Sequence, residues 1–332
     1  MRTISLPPLT RAVVAVYLFL NAVCGMLRYA SYSQLVAQGG ETAPRFVEIV
    51  VPYLTLVPSL SITFPWVVVT SSFIEQSIVG FVITGAFLSM GTRYCERAWG
   101  SKDMAVYLAI QSIIPNIVTT FALYVLFAAT RDESVLLTQV GGGIGFQMGF
   151  LVAFKQLVPE HAIVLLHGAV RIPVKYLTVP IMLIYTVVGL IMRNPALVVL
   201  TWSSFFTAWI YLRFYKVTYV DSLLPTSDNL IAGANQVRIR GDASDMFALA
   251  RFFYPKGVQK AVEAVSNPVF DLLVAAKLCA PFSQDEIDAG NMRNSQQDRR
   301  GSSRTRPDEA DRRRALALKA LEERLGSQET TN

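Results

Sequence analysis

Apolar residues run through the first two thirds of the chain in blocks long enough to enter a lipid bilayer, and then largely stop. A hydrocarbon core about 30 Å thick is crossed by about 20 apolar residues of helix. Six blocks read as spans: about Ala12–Ala30, Gln76–Met90, Met104–Ala129, Val140–Gln156, Val174–Met192 and Pro195–Phe214. Between the first two, the polar stretch Ser31–Glu48 predicts a loop. Ile49–Phe73 is apolar but broken by Pro52, Pro58 and Pro65. Proline removes an amide donor and clashes with the preceding turn. This stretch therefore predicts short segments in or against the membrane, a position that irregular backbone tolerates only under a cover of protein. Counting it as a span gives a seven-span alternative. Pro115 predicts a kink, and the short Arg193-Asn194-Pro195 connection makes the last two spans antiparallel neighbours.

Charge sets the orientation. Arg2, Arg11, Arg93, Arg97, Lys102, Lys155, Arg171, Lys175, Arg213 and Lys216 fall on one side of this topology, and Arg28, Arg45, Arg131 and Arg193 on the other. Basic residues collect on the cytosolic side, so an even number of spans places both termini in the cytosol. Across all 332 residues 52% are apolar and 16% charged, against about 25% charged in an average soluble domain. The net charge of +6 comes with no basic face interleaved with stacking aromatics, so nucleic acid is not an expected partner.

Beyond Val217 the chain reads as cytosolic. Asp242–Tyr254 predicts a helix stopped by Pro255, and Asn267-Pro268 predicts the start of another, with an apolar stripe of Phe270, Leu273, Val274 and Leu278. Phe247, Phe253 and Phe270 are candidate partner-binding residues. The alternative is a cap that serves stability alone. Ser283–Pro307 has the polar, charged composition of a disordered segment. Asp308–Leu325 forms either a transient solvated helix or a docking helix with Leu318, Leu321 and Leu325 on one side. The expected organisation is a membrane domain at 1–216, a small cytosolic helical region at 217–282 and a disordered charged tail at 283–332.

Candidate chemistry is sparse. Cys24, Cys95 and Cys279 are far apart, and only His161 and His167 supply imidazoles, so neither a disulfide framework, a metal site nor a cofactor is expected. Gln111, Asn116, Gln147 and Asn21 are polar groups within apolar segments and mark either a substrate path or interhelical hydrogen bonds. No ionisable residue is expected mid-span, which argues against a proton-coupled transporter. The densest pattern is Gly141-Gly142-Gly143-Ile144-Gly145, with Gly149 four residues further on. Gly145 and Gly149 share a helix face, where glycine lets a neighbouring backbone approach closely.

That stretch resembles the catalytic helix of rhomboid intramembrane proteases, in which Gly-x-Ser-Gly precedes another glycine. Here Ile144 occupies the serine slot. Such proteases pair the serine with a histidine on the last span as its base. That span has no histidine, and the family's Ala-His pair is matched to Ala208-Trp209. Trp66, Thr70 and Phe73 resemble a further rhomboid segment, with Glu75 where proteases often carry histidine. Gly91-Thr92-Arg93-Tyr94-Cys95-Glu96-Arg97-Ala98-Trp99-Gly100-Ser101 resembles the rhomboid signature at a cytosolic turn, with Arg93, Glu96, Trp99 and Gly100 as its structural residues. Phe154–His161, Trp209–Tyr215 and the Gly241-Asp242…Phe253 stretch are similar to the transmembrane protein 115 family. The resemblance implies an all-α, rhomboid-like bundle of six transmembrane helices in Golgi membranes, without protease activity, acting in retrograde Golgi-to-endoplasmic-reticulum traffic. It further implies self-association of the spans, membrane-protein clients and cytosolic vesicle-tethering machinery as partners. The alternatives are an intramembrane hydrolase using Glu75 or Ser204, and a transporter.

Overall fold

The computed structural model describes residues 7–39, 49–159, 162–165, 170–220, 237–275, 282–284 and 286–292. They group into two compact units, one within 1–159 and 174–241, the other within 160–173 and 242–332.

The first unit is a helical bundle. Helix α1 (Pro8–Gly39) opens on a proline, which is pre-organised for a first turn. Its free amides at Leu9 and Thr10 are taken by the Glu96 carboxylate, at 3.0 and 2.8 Å. α1 runs on through Ser31–Gln38, where a loop was expected, because that stretch holds no helix breaker before Gly39. Irregular backbone follows from Ile49, with short turns at Pro58–Leu60, α2 (Val67–Thr70) and Ser71–Phe73, as the three prolines require. Ile74 and Val51 pack with Cys24 of α1, and Leu56 and Val67 join Leu123, Val140 and Leu200 in a second cluster.

Helix α3 (Ile78–Trp99) begins at Ser77, whose Oγ accepts the Gly80 amide at 3.0 Å. It reaches Trp99, so Arg93, Glu96 and Trp99 lie on its last turns rather than in a loop. Cys95, placed outside the spans by composition, is buried there. Only Gly100, at φ 89°, separates α3 from α4 (Ser101–Thr130), and this left-handed backbone is what glycine supplies cheaply. Pro115 lies inside α4. The short α5 (Ser134–Leu137) leads to α6 (Ile144–Leu157), then α7 (Thr178–Ile191) and α8 (Pro195–Ile210). α8 is started by Asn194, which accepts the Leu197 amide, and is extended by a π-type turn at Tyr211–Tyr215.

Among the described residues, five helical stretches are long and apolar enough to cross a membrane: Pro8–Ala37, Ile78–Trp99, Ser101–Thr130, Val174–Ile191 and Pro195–Tyr215. α6, at 14 residues, is shorter, about 21 Å. It is also the enclosed one, with ten of its residues buried, and protein rather than lipid covers its ends. After α8, strands β3 (Val217–Val220) and β4 (Val237–Arg240) pair antiparallel, Val217 opposite Arg240. Gly241 then closes the unit: its amide reaches Lys216 O at 2.7 Å, and any Cβ there would lie 2.1 Å from Arg213 O. The bundle unit thus ends at Gly241 rather than Lys216.

In the second unit, β1 (Ala162–Leu165) pairs antiparallel with β2 (Val170–Pro173). These two short strand pairs accompany a mostly helical chain, the class expected. Asp242–Tyr254 is not one helix but two 3₁₀ turns, Asp245–Phe247 and Leu249–Phe252, separated by extended backbone at Ala248 (ψ 146°). α9 (Lys256–Ala275) starts after Pro255 instead of at Asn267 and carries Pro268 inside it. Val258, Val262, Val265 and Val269 recur at helical spacing across the expected boundary, and this periodicity prevails over one proline. Residues 286–292 are helical, although disorder was expected from Ser283. Asn291 explains the order, because its amide donates to Asp245 Oδ2 at 2.9 Å while its Oδ1 accepts the Asp245 amide at 3.0 Å.

Candidate functional site

The glycines place α6 at the centre of the bundle. A Cβ on Gly143 would lie 2.0 Å from Thr84 Cγ2 of α3, and one on Gly149 would lie 2.9 Å from Gln111 Cγ of α4. A Cβ on Gly145 would meet Gln111 O at 3.3 Å and Ser204 Oγ of α8 at 3.5 Å. Gly145 and Gly149 therefore face α4 together. Gly141 borders the Ser71 carbonyl, and Gly142 takes a φ of 94° just before the helix. On the α3 side, Gly91 leaves room for the Phe150 ring.

The slots of the protease frame hold the following. Ile144 packs against the apolar cluster containing Leu56, Val140, Ala196 and Leu200. Trp209 lies nine residues beyond Leu200 on α8, about 14 Å along the axis, and its ring meets Phe214 edge-on at 5.7 Å. On α8 the group beside Gly145 is Ser204, five residues before Trp209. Ser204 donates its hydroxyl to Leu200 O at 2.6 Å, the local bond common for serine in a helix. His161 and His167 lie outside the described residues.

Glu75 is the centre of a polar chain that runs through the start of α6. Its Oε1 accepts the Gly143 amide and the Thr84 hydroxyl, each at 2.6 Å. Thr84 Oγ1 in turn accepts from Gln147 Nε2 at 2.7 Å, and Gln147 Oε1 accepts from Tyr185 of α7. Asn21 of α1 fixes the backbone around Glu75, accepting the Glu75 amide at 3.0 Å and donating to Phe73 O at 2.7 Å. The carboxylate thus occupies an amide at the helix start, where the partial positive charge of the helix favours an anion. Among the described residues no group of three or more His, Cys, Asp or Glu side chains is placed to hold a metal ion.

The other polar groups inside the bundle also tie helices together. Gln111 Nε2 donates to Gly145 O and Ser204 O at 2.8 and 2.9 Å, joining α4, α6 and α8. Asn116 Nδ2 lies within 3.0 Å of Val68 O, Ser71 Oγ and Ser72 Oγ. Tyr107 donates to Gly149 O at 2.6 Å. At the opposite end of α3, Glu96 accepts from Thr10 Oγ1 and Ser101 Oγ, both at 2.7 Å, besides the α1 amides. Trp99 stands edge-on to Tyr107 and under the Lys216 ammonium, 3.2 Å from its ring centre. Arg93 is half-buried on the preceding turn. Thr84, Tyr185 and Thr10 were not singled out from sequence. Only Thr84 left a signal there, as a hydroxyl nine residues after the lone acid at Glu75.

In the second unit Phe247 is 2% exposed and meets Phe252 edge-on at 5.5 Å. It belongs to a core of this unit. Phe253 and Phe270 are half-buried.

A family model described as eukaryotic integral membrane protein (DUF1751) matches residues 11–327. The chain is 29% identical over 329 residues to the Transmembrane protein 115 homolog of Saccharomyces cerevisiae, covering 96% of this chain and 93% of that protein. It is 28% identical over 296 residues to Rhomboid-like protein 19 of Arabidopsis thaliana (89% and 87%) and 29% identical over 261 residues to human Transmembrane protein 115 (78% and 67%). With a bundle built on a glycine-lined central helix and a family match over nearly its whole length, the chain belongs to the DUF1751 family of eukaryotic integral membrane proteins.

Proposed function

We propose that this protein is a non-catalytic rhomboid-like scaffold of Golgi membranes, with both termini in the cytosol, acting as an adaptor in Golgi-to-endoplasmic-reticulum retrograde vesicle transport. The observation that carries the reading is the start of α6. The residue in the nucleophile slot is an isoleucine packed among apolar side chains, and the backbone amide beside it is bonded to Glu75. A serine hydrolase needs a nucleophile with a base in reach and amide donors open to the developing oxyanion. Here Ile144 supplies no nucleophile, and an internal carboxylate takes the Gly143 amide. The Golgi address and the trafficking role follow from the resemblance to the transmembrane protein 115 family. The partners are membrane-protein clients held by the bundle, cytosolic tethering machinery held by the second unit, and other copies of the chain.

The test combines chemistry and location. The purified full-length protein should not react with a fluorophosphonate probe, and labelling abolished by mutating one serine would overturn the non-catalytic reading. The tagged protein should coincide with Golgi markers, and steady residence elsewhere would overturn the address. Phe253→Asp combined with Phe270→Asp should leave abundance and delivery intact while cytosolic partners are lost from a pull-down. A fall in abundance that precedes any loss of partners would make the second unit a structural cap.

A further inference from the structure

Neither the packing nor the proposed function explains Arg28. It sits on α1, is 5% exposed, and its guanidinium Nε and Nη2 are enclosed without a hydrogen-bond partner among the described residues. A buried charge left unpaired is strongly unfavourable, so the arrangement calls for an anion. Glu75 lies nearby but is committed elsewhere, through Oε1 to the Gly143 amide and the Thr84 hydroxyl. Nε and Nη2 form one edge of the guanidinium, with two parallel N–H bonds. That edge matches two oxygens of a phosphate or a carboxylate.

Arg28 also lines a groove of about 460 Å³ between α1 and the start of α3. Arg28 stands at one end of it, Asn21 and Glu75 lie together midway, the Glu75 amide donating to Asn21 Oδ1, and Leu18, Ala22 and Phe81 give it an apolar wall. The Arg28 end lies at the opposite end of α3 from Glu96, where α1 begins. From Thr10 to Arg28 is 18 residues of helix, about 27 Å, close to the thickness of the hydrocarbon core. Arg28 therefore stands at headgroup depth, and the trough runs from it towards the bilayer centre, ten residues or about 15 Å, to Leu18. Leu18 is 51% exposed and open to lipid.

We propose that this groove is a lipid site that takes a glycerophospholipid, with its phosphate on the Nε–Nη2 edge of Arg28 and one acyl chain along Leu18, Ala22 and Phe81. Arg28 fixes the headgroup, and the trough gives the lipid its direction. Because the site joins α1 to α3 from outside, its occupant holds that side of the bundle closed.

The test uses purified full-length protein in detergent, with native mass spectrometry and thermal unfolding as readouts. The probes are a short-chain phosphatidylglycerol, a short-chain phosphatidylcholine, inorganic phosphate and octanoate. Wild type should retain phospholipid adducts and be stabilised by at least one phospholipid, with inorganic phosphate ineffective at the same concentration. Arg28→Met should weaken that binding at least tenfold, and Arg28→Lys, which keeps the charge but loses the paired edge, should fall between. Ala22→Trp fills the trough on the lipid-exposed side and leaves Arg28 in place. It should fold, and bind phospholipid at least tenfold more weakly, which keeps the proposal testable should Arg28→Met fail to fold. Equal stabilisation by inorganic phosphate would make this a free-anion site, and preference for octanoate a carboxylate site. Either result, or undiminished phospholipid binding by Ala22→Trp, would overturn the proposal. None of these outcomes depends on whether the protein is an enzyme.

Discussion

Replacing Glu75 tests the central arrangement most directly. In Glu75→Ala the Gly143 amide and the Thr84 hydroxyl both lose their acceptor, in a place that water does not readily reach. A buried donor left unsatisfied costs about 1–3 kcal/mol, so the two together predict a loss of about 2–6 kcal/mol. Glu75→Gln keeps a carbonyl oxygen for both donors but removes the charge. Charge-assisted bonds are roughly twice as strong as neutral ones, so each weakens by about 1 kcal/mol. The relief of no longer burying a charge offsets part of this, leaving a loss of about 1–2 kcal/mol. The measurement is unfolding of the purified protein in mixed micelles of dodecyl maltoside and sodium dodecyl sulfate. A double-mutant cycle with Thr84→Val should report a coupling of at least about 0.5 kcal/mol between the two positions, as residues in one hydrogen-bond network do. Glu75→Ala within about 0.5 kcal/mol of wild type, or strict additivity in the cycle, would refute the claim that the carboxylate holds the start of α6. Neither variant should gain reactivity towards a fluorophosphonate, because freeing the amide supplies no nucleophile.

The remaining predictions concern packing. Gly149→Leu and Gly145→Leu should cause misassembly or retention of the full-length protein, with the alanine variants milder; overpacking costs about 1–3 kcal/mol. Gly149→Ala should be the worse alanine change, since its Cβ would lie 2.9 Å from Gln111 against 3.3 Å at Gly145, and unchanged detergent stability of the leucine variants would contradict the placement. Glu96→Ala removes the acceptor of the Leu9 and Thr10 amides, so limited proteolysis should cut the start of α1 faster than in wild type, and equal rates would count against the clamp. Cys24 and Cys95 are both free and buried, and maleimide should modify them only once the protein is unfolded in sodium dodecyl sulfate; rapid labelling of either in mild detergent would contradict their burial.

Five of the six expected spans match helices long and apolar enough to cross a membrane, because a run of apolar residues is a local property. The broken segment at 49–73 was legible for the same reason, since proline acts on its own neighbours. What failed depended on distance. α1 outran its apolar block because nothing within Ser31–Gln38 stops a helix, and the end of hydrophobicity is not the end of hydrogen bonding. The helix expected at 242–254 became two turns, although its composition was suitable. Asn291, nearly fifty residues later, is bonded to Asp245 within it. Ile144 stood out from one residue, an aliphatic side chain framed by glycines. Glu75 stood out as a lone acid, whereas its partners, a backbone amide and a threonine, are too common to stand out.

Gly100 carries a mechanical consequence. α3 and α4 are joined through this one residue, so at that end the two helices cannot slide or part. Any movement between them is a rotation about a fixed point, like the arms of a pair of tongs. α3 has 22 residues, about 33 Å, so a swing of about 10° at Gly100 displaces its far end by about 6 Å, enough to admit a side chain or an acyl chain. The far end is where Ser77, Glu75 and the start of α6 meet. A swing of that kind would have to break the bonds that Glu75 makes to Thr84 of α3 and to the Gly143 amide.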